Sequence, residues 1–222
     1  MSLVTIRGQL GSGAPEIGGK VADRLHVDYI DREIIAEVAS RLKRDKQDVI
    51  AKEMPPGTLL GRIVEALTSN YATMEPFFGG AYLPAELIPL GDARYVRALE
   101  SVIRSLASGP SLVIRGRGSQ FILKEYPGSL HVMVVAPLEV RVQRVMQSLK
   151  LDQEAARHEI ARFDASRHEF VKRYFQAELE DPLHYDLVIN TGRLSFDAAA
   201  STIINAFRLR KPAGREKAEP VR

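Results

Sequence analysis

The amino terminus carries three features in immediate succession. Leu3 to Arg7 is a short β-type run, and Gly8-Gln9-Leu10-Gly11-Ser12-Gly13 is too rich in glycine to be regular. From Glu16 to Leu25, Ile17, Val21, Ala22 and Leu25 then recur at helical spacing. A strand that turns through glycines into a helix can bring several backbone N–H groups together at the positive end of that helix, where an anion binds. Glycine is needed there because a Cβ would hinder the close approach of the backbone.

The same alternation continues along the chain. Val27 to Ile30 reads as a second strand ending at Asp31-Arg32, and Glu33 to Leu42 as a helix. Asp45 to Lys52 begins another helix. Met54 to Gly91 holds Pro55-Pro56-Gly57, Gly79-Gly80, Pro84 and Pro89 with Phe77, Phe78 and Tyr82 among them, and reads as helix-loop-helix material over a site. Tyr95 to Ala107 is an amphipathic helix, Ser111 to Ile114 a buried strand, and Ser119 to Lys124 a short helix. Leu130 to Val135 is a further strand. Pro137 opens a helix to about Leu149, followed by a charged helix over Asp152 to Gln176. Asp186 to Asn190 is the last strand, and Ser195 caps the final helix from about Asp197 to Arg208. Strands alternating with helices predict a mostly parallel sheet covered on both faces, with ligands at the carboxyl ends of its strands. Gly8 to Gly13, Asp31-Arg32 and Arg115 to Gly118 all fall at such ends.

Composition narrows the classes. With 222 residues, 45% apolar and 27% charged, the chain suits one domain over 1–210, an insert at about 43–91 and a lid-like charged segment at about 141–176. Residues 211–222 read as a disordered basic tail, which accounts for much of the net charge of +3. There are no cysteines, which excludes disulfides, cysteine-ligated zinc and a thiol nucleophile. No apolar run approaches the ~20 residues that cross a bilayer. The opening segment reads as a strand rather than a signal peptide, so the expected location is the cytoplasm, with no membrane or nucleic-acid partner and with a homo-oligomer left open.

The glycine turn meets the first half of the phosphate-loop pattern GxxxxGK[ST]. Its second half is changed: Ala14 takes the lysine position and Pro15 the position of the hydroxyl that holds Mg²⁺. Proline also lacks an N–H. Lys20, further along the helix, and a basic residue of the lid are the candidates to replace the lysine. Arg162, Arg167 and Arg173 lie on one charged helix, with Arg162 and Arg173 roughly on one face, and Glu159, Glu169 and Glu178 available to pair with them. Arginine suits the bidentate recognition of phosphate. His158 and His168 have no metal-ligand partner at a sensible spacing and read as surface residues.

From Thr5 to Ile35 the chain reads TIRGQLGSGAPEIGGKVADRLHVDYIDREII, which is similar to the opening of the cytidylate kinase-like proteins. The resemblance continues in order at VIRGRGSQFILKEYP (Val113 to Pro127), VMVVAPLEVRVQRVM (Val132 to Met146), FDASRHEFVKRYF (Phe163 to Phe175) and DPLHYDLVINTGRLS (Asp181 to Ser195). Lys43 to Leu90 is poorly matched. The resemblance implies an α/β, three-layer P-loop nucleoside monophosphate kinase fold. It also implies a transferase taking ATP as donor, CMP or dCMP as acceptor, and Mg²⁺ held mainly by nucleotide and water. It places ATP on Gly8, Gly11, Ser12, Gly13, Ala14 and Arg144, and the acceptor on Asp31, Arg32, Arg117 and Asp164. Arg141, Arg162 and Arg167 fall where the family acts on the transferring phosphate, and no residue is assigned as a metal ligand. Gly118 replaces the aspartate of the kinase GRD motif, as is usual in this branch. The altered loop keeps open a nucleotide-binding or regulatory protein without catalysis. The unmatched insert keeps open a kinase for another small phosphate acceptor.

Overall fold

Leu3–Gly8 (β1) is buried along its whole length, as a strand is when neighbours lie on both edges and helices on both faces. The computed structural model describes residues 3–31, 33–42 and 92–210. The expected helix at Asp45 to Lys52, the segment Met54 to Gly91, Arg32 and the tail 211–222 lie outside the described residues.

After β1 come α1 (Ala14–Leu25), β2 (Asp28–Ile30), α2 (Glu33–Leu42), α3 (Asp92–Ala107), β3 (Leu112–Arg115) and α4 (Ser119–Ile122). Then follow β4 (Ser129–Val135), α5 (Leu138–Leu149), α6 (Gln153–Phe175), β5 (Leu187–Asn190) and α7 (Phe196–Leu209). The five strands are all parallel, in the order β2-β3-β1-β4-β5. Val4 lies level with Val113 of β3 and Leu130 of β4. The sheet reverses its winding at β1, which makes the carboxyl end of that strand the natural ligand crevice.

The two-residue period of the strands sorts their side chains between two cores. Val4, Ile6, Val113, Val132 and Val134 face α1 and α7, packing on Ile17, Val21, Ala199 and Ile203. Leu3, Leu112 and Ile114 face α2, α3 and the end of α6, where Ile34, Leu99, Ile103, Phe170 and Val171 fill the other layer. A third cluster joins α5 to α6 through Val142, Val145, Ala156 and Ile160, and Leu10 of the glycine turn drops into it. Burying each such side chain contributes about 1.5–3 kcal/mol, so the turn is anchored at its tip.

The helix ends follow local chemistry. Asp152 caps α6 by accepting from the Ala155 N–H at 2.8 Å, and Ser195 caps α7 by accepting from Ala198 at 3.2 Å. Helix α1 starts at Ala14, two residues before the expected start at Glu16, because Pro15 fits a first turn whose N–H would be unbonded anyway.

Candidate functional site

Between β1 and α1 the chain makes a tight turn that only glycine permits. Gly11 and Gly13 have φ of 78° and 87°, in the left-handed region. A Cβ on Gly8 would meet the Ala14 methyl at 2.5 Å and run into the Ser12 hydroxyl, and one on Gly13 would run into the Phe196 ring.

Every carbonyl of the turn is held by a donor. Arg167 donates to Gly8, the Ser12 N–H to Gln9 at 3.0 Å, and Arg141 to Leu10 at 3.4 Å. Arg144 donates to Gly11 at 3.2 Å, the Thr191 hydroxyl to Ser12 at 2.7 Å, and the Ile17 N–H to Gly13 at 3.0 Å. The amide hydrogens divide differently. Gln9 donates to Val134 at 3.2 Å and Leu10 to the Asp164 carboxylate at 3.4 Å. Among the described residues nothing accepts from the N–H groups of Gly11, Gly13 or Ala14. Buried amides are rarely left so, and a row of them at a helix start is an anion cradle.

The arginines are themselves fixed. Arg141 pairs with Asp164 at 2.6 Å, and their side chains are 9% and 16% exposed. Arg144 donates to the hydroxyl and carbonyl of Thr191, both at 2.9 Å, and lies 4.9 Å from the centre of the Phe196 ring. Burial lowers the Arg144 pKa from its ordinary value, against the pull of Glu16. Arg167 stacks on Phe163 at 3.5 Å.

On the other side of β1, Arg115 ends β3 and meets Asp31 beyond β2 at 3.3 Å. Gly116, Arg117 and Gly118 follow with φ of 67°, 60° and 69°. Arg117 is buried, and a left-handed non-glycine residue costs about 1–2 kcal/mol. Strain of this kind gathers where a backbone is held for function. Tyr29 lies over Gly18, and burial pushes its phenol up, with Arg115 opposing and Asp31 adding. Glu16, in the first turn of α1, has its carboxyl raised by burial, against its own backbone N–H, Arg115 and Arg144.

The residues expected from sequence divide into three groups. Gly8, Gly11, Ser12, Gly13, Ala14, Arg141, Arg144, Asp164 and Arg167 come together, with Asp31 and Arg117 at the neighbouring strand ends. Arg141 and Asp164 grip the Leu10 peptide and each other, because Leu10 is drawn into the α5–α6 core beside them. Arg162 instead pairs with Glu159 at 2.8 Å, a carboxylate whose residue is 1% exposed. Lys20 turns away to Asp197 of α7 at 3.0 Å, while among the described residues Arg141, Arg144 and Arg167 are the basic groups that reach the loop. Glu16, Thr191 and Phe196 were not singled out by sequence. Their only signal is position: the residue after Pro15, the residue after β5, and the first residue of α7.

The donor set fits a nucleotide's phosphates, since the free amides and glycine clearances offer what a polyphosphate needs. Among the described residues no three carboxylate or imidazole groups converge on a point, and Pro15 has no ligand oxygen. A cation here would therefore be held largely by phosphate and water, as Mg²⁺ commonly is in kinase sites.

A parallel sheet in this strand order, helices on both faces and a GxxxxG turn feeding α1 define a P-loop kinase fold. The chain belongs to the cytidylate kinase-like family, whose family model matches residues 3–193. It is 22% identical to a cytidylate kinase of Halobacterium salinarum over 92% of this chain and 88% of that protein. It is 32% identical to a uronate isomerase of Corynebacterium glutamicum over 45% of this chain, and the match spans only 19% of that longer protein. A crystal structure of an uncharacterized protein from Eubacterium ventriosum superposes with a TM-score of 0.67 at 19% identity, covering 95% of this chain and 100% of that one, a likeness of fold. No helix among the described residues is long and apolar enough to cross a membrane.

Proposed function

We propose that the chain is a nucleoside monophosphate kinase that moves the terminal phosphoryl group of ATP to CMP or dCMP. One observation carries the reading. Arginines and a threonine from α5, α6 and the end of β5 hold the loop's carbonyls, while the Gly11, Gly13 and Ala14 amides stay without acceptors among the described residues. A loop built only to turn the chain would have no use for that division.

Phosphoryl transfer asks the protein for alignment and positive charge rather than covalent chemistry. Bound Mg²⁺-ATP would supply the phosphoryl group and a bridging cation. The amides of Gly11, Gly13 and Ala14 would bind the donor's phosphates, with Gly8 and Ser12 shaping the cradle. Arg144 and Arg167 would bring the charge that a lysine at position 14 would have brought. Arg141 and Asp164 would keep the loop in register, and Arg162 would approach the transferring group only if Glu159 released it. Asp31, Arg32 and Arg117 would meet the acceptor. Preorganised charge in a site closed to water is the largest contribution such a site makes.

The test is ADP formation from ATP with CMP, dCMP, UMP and AMP offered in turn. The reading predicts turnover with CMP or dCMP, and fails if no acceptor raises ADP above background. Ala14 and Pro15 favour a second reading, a nucleotide-binding protein without turnover. Calorimetry that finds ATP bound while no acceptor is phosphorylated would select it.

A further inference from the structure

Pro15 takes away the hydroxyl that usually holds the phosphate-borne cation, and the adjacent residue is a carboxylate. Glu16 is partly buried, yet its Oε2 is closed to solvent and has no hydrogen-bond partner. A carboxylate oxygen removed from water without a partner is costly. The cost is relieved either by a proton, toward which burial pushes this carboxyl, or by a cation that arrives later.

The nearby groups that would otherwise neutralise Glu16 are engaged elsewhere. Arg115 meets Asp31 at 3.3 Å, and Arg144 is bonded to Thr191 at 2.9 Å and to the Gly11 carbonyl at 3.2 Å. Asp164, a rival for a cation, is bonded to Arg141 at 2.6 Å and to the Leu10 N–H at 3.4 Å. A second oxygen in the same turn shares the condition of Glu16. Ser12 is 0% exposed, its Oγ has no partner, and it sits where a Cβ on Gly8 would fall. An unpartnered hydroxyl and a carboxylate with one unpartnered oxygen flank the unbonded amides of Gly13 and Ala14 in sequence. Mg²⁺ at phosphate sites is bound through one or two carboxylates, phosphate oxygens and retained waters.

We propose that Glu16 is the protein ligand of the divalent cation that enters with the nucleotide, in place of the hydroxyl lost at Pro15. The proposal rests on nucleotide binding at this loop, and it assigns the cation to a residue one position further along α1 than the usual motif does.

The test measures binding, with the full chain and no acceptor. Titration calorimetry with ADP, and with a non-hydrolysable ATP analogue, is run with Mg²⁺ and with chelator, and electron paramagnetic resonance counts Mn²⁺ in the ternary complex. In the unaltered chain Mg²⁺ should tighten nucleotide binding by about 10- to 100-fold, the range for losing a hydrogen-bonded or coordinated charge. In Glu16→Gln the gain should fall to about twofold or less, and metal-free binding should be unchanged or tighter, because a negative charge beside the phosphates has gone. Glu16→Ala should behave alike, which guards against one variant that fails to fold. If both variants keep the full Mg²⁺ gain, or if the unaltered chain binds nucleotide with no gain, this assignment is overturned while nucleotide binding stands. If the unaltered chain binds no nucleotide, both are overturned.

Discussion

Asp164→Asn tests whether the Arg141–Asp164 pair holds the loop or serves the acceptor. The two side chains are 2.6 Å apart and 9% and 16% exposed, so water does little to screen them. Removing the carboxylate's charge strands the guanidinium, and breaking a buried pair from one side costs about 3–5 kcal/mol. The residual exposure and the amide that replaces the carboxylate bring the estimate to about 2–3 kcal/mol. For a chain of this size that is a fall in Tm of roughly 4–12 °C. Arg141→Met should cost a similar amount, whereas the double variant should lose less than the sum, with a coupling of about 1–3 kcal/mol. The same substitutions free both sides of the Leu10 peptide, so nucleotide binding should weaken along with stability. Urea melts of the four proteins give the coupling, and calorimetry with ADP gives the binding. A cycle additive to within about 0.5 kcal/mol would refute the pairing. Unchanged ADP affinity with a lost response to CMP would refute the clamp and return Asp164 to the acceptor.

Three further outcomes follow from the same geometry. Gly13→Ala should destabilise the fold by about 2–4 kcal/mol, from a left-handed φ and a collision with Phe196; adding Phe196→Ala should restore only the steric part, as a thermal melt would show. His131 is buried between the hydroxyls of Thr5 at 2.7 Å and Ser129 at 3.1 Å, and burial lowers its pKa below the ordinary 6.5. The unfolded chain therefore takes up the proton first as pH falls, so stability should be complete above about pH 6.5 and decline below it. His131→Gln should flatten that decline in melts run from pH 7.5 to 5. Arg167→Ala should lower turnover by about 100-fold or more, since it removes a charge fixed at the loop; an unchanged kcat in the coupled ADP assay would count against its role.

Much of the architecture was legible because it depends on local periodicity. The run at Leu3 to Arg7, the helix at Glu33 to Leu42 and the cap at Ser195 are stated by spacing and residue type alone. Boundaries moved by one to three residues where termini answer to packing, as when α1 took in Pro15 and α3 began at Asp92. The site was legible at the glycines, where conformation and residue type are nearly the same statement. It was less legible on α5 and α6. A charged helix looks the same in sequence whether its arginines reach Glu159, as Arg162 does, or a loop carbonyl more than a hundred residues away, as Arg167 does. Lys20 had the right charge near the loop, but the helix turns it toward Asp197. Phe196 was unreadable for a similar reason, since its packing on Gly13 depends on how α7 crosses α1.

Anion binding at the loop depends most on the amides at the start of α1. Amide NMR of the ¹⁵N-labelled chain, titrated with ADP and with pyrophosphate, observes them directly. Saturable shifts at Gly11, Gly13 and Ala14 with both ligands, larger than those at the distant end of α1 around Leu25, are the predicted result. No change at those three amides at saturating nucleotide, or shifts confined to other parts of the sheet, would contradict it.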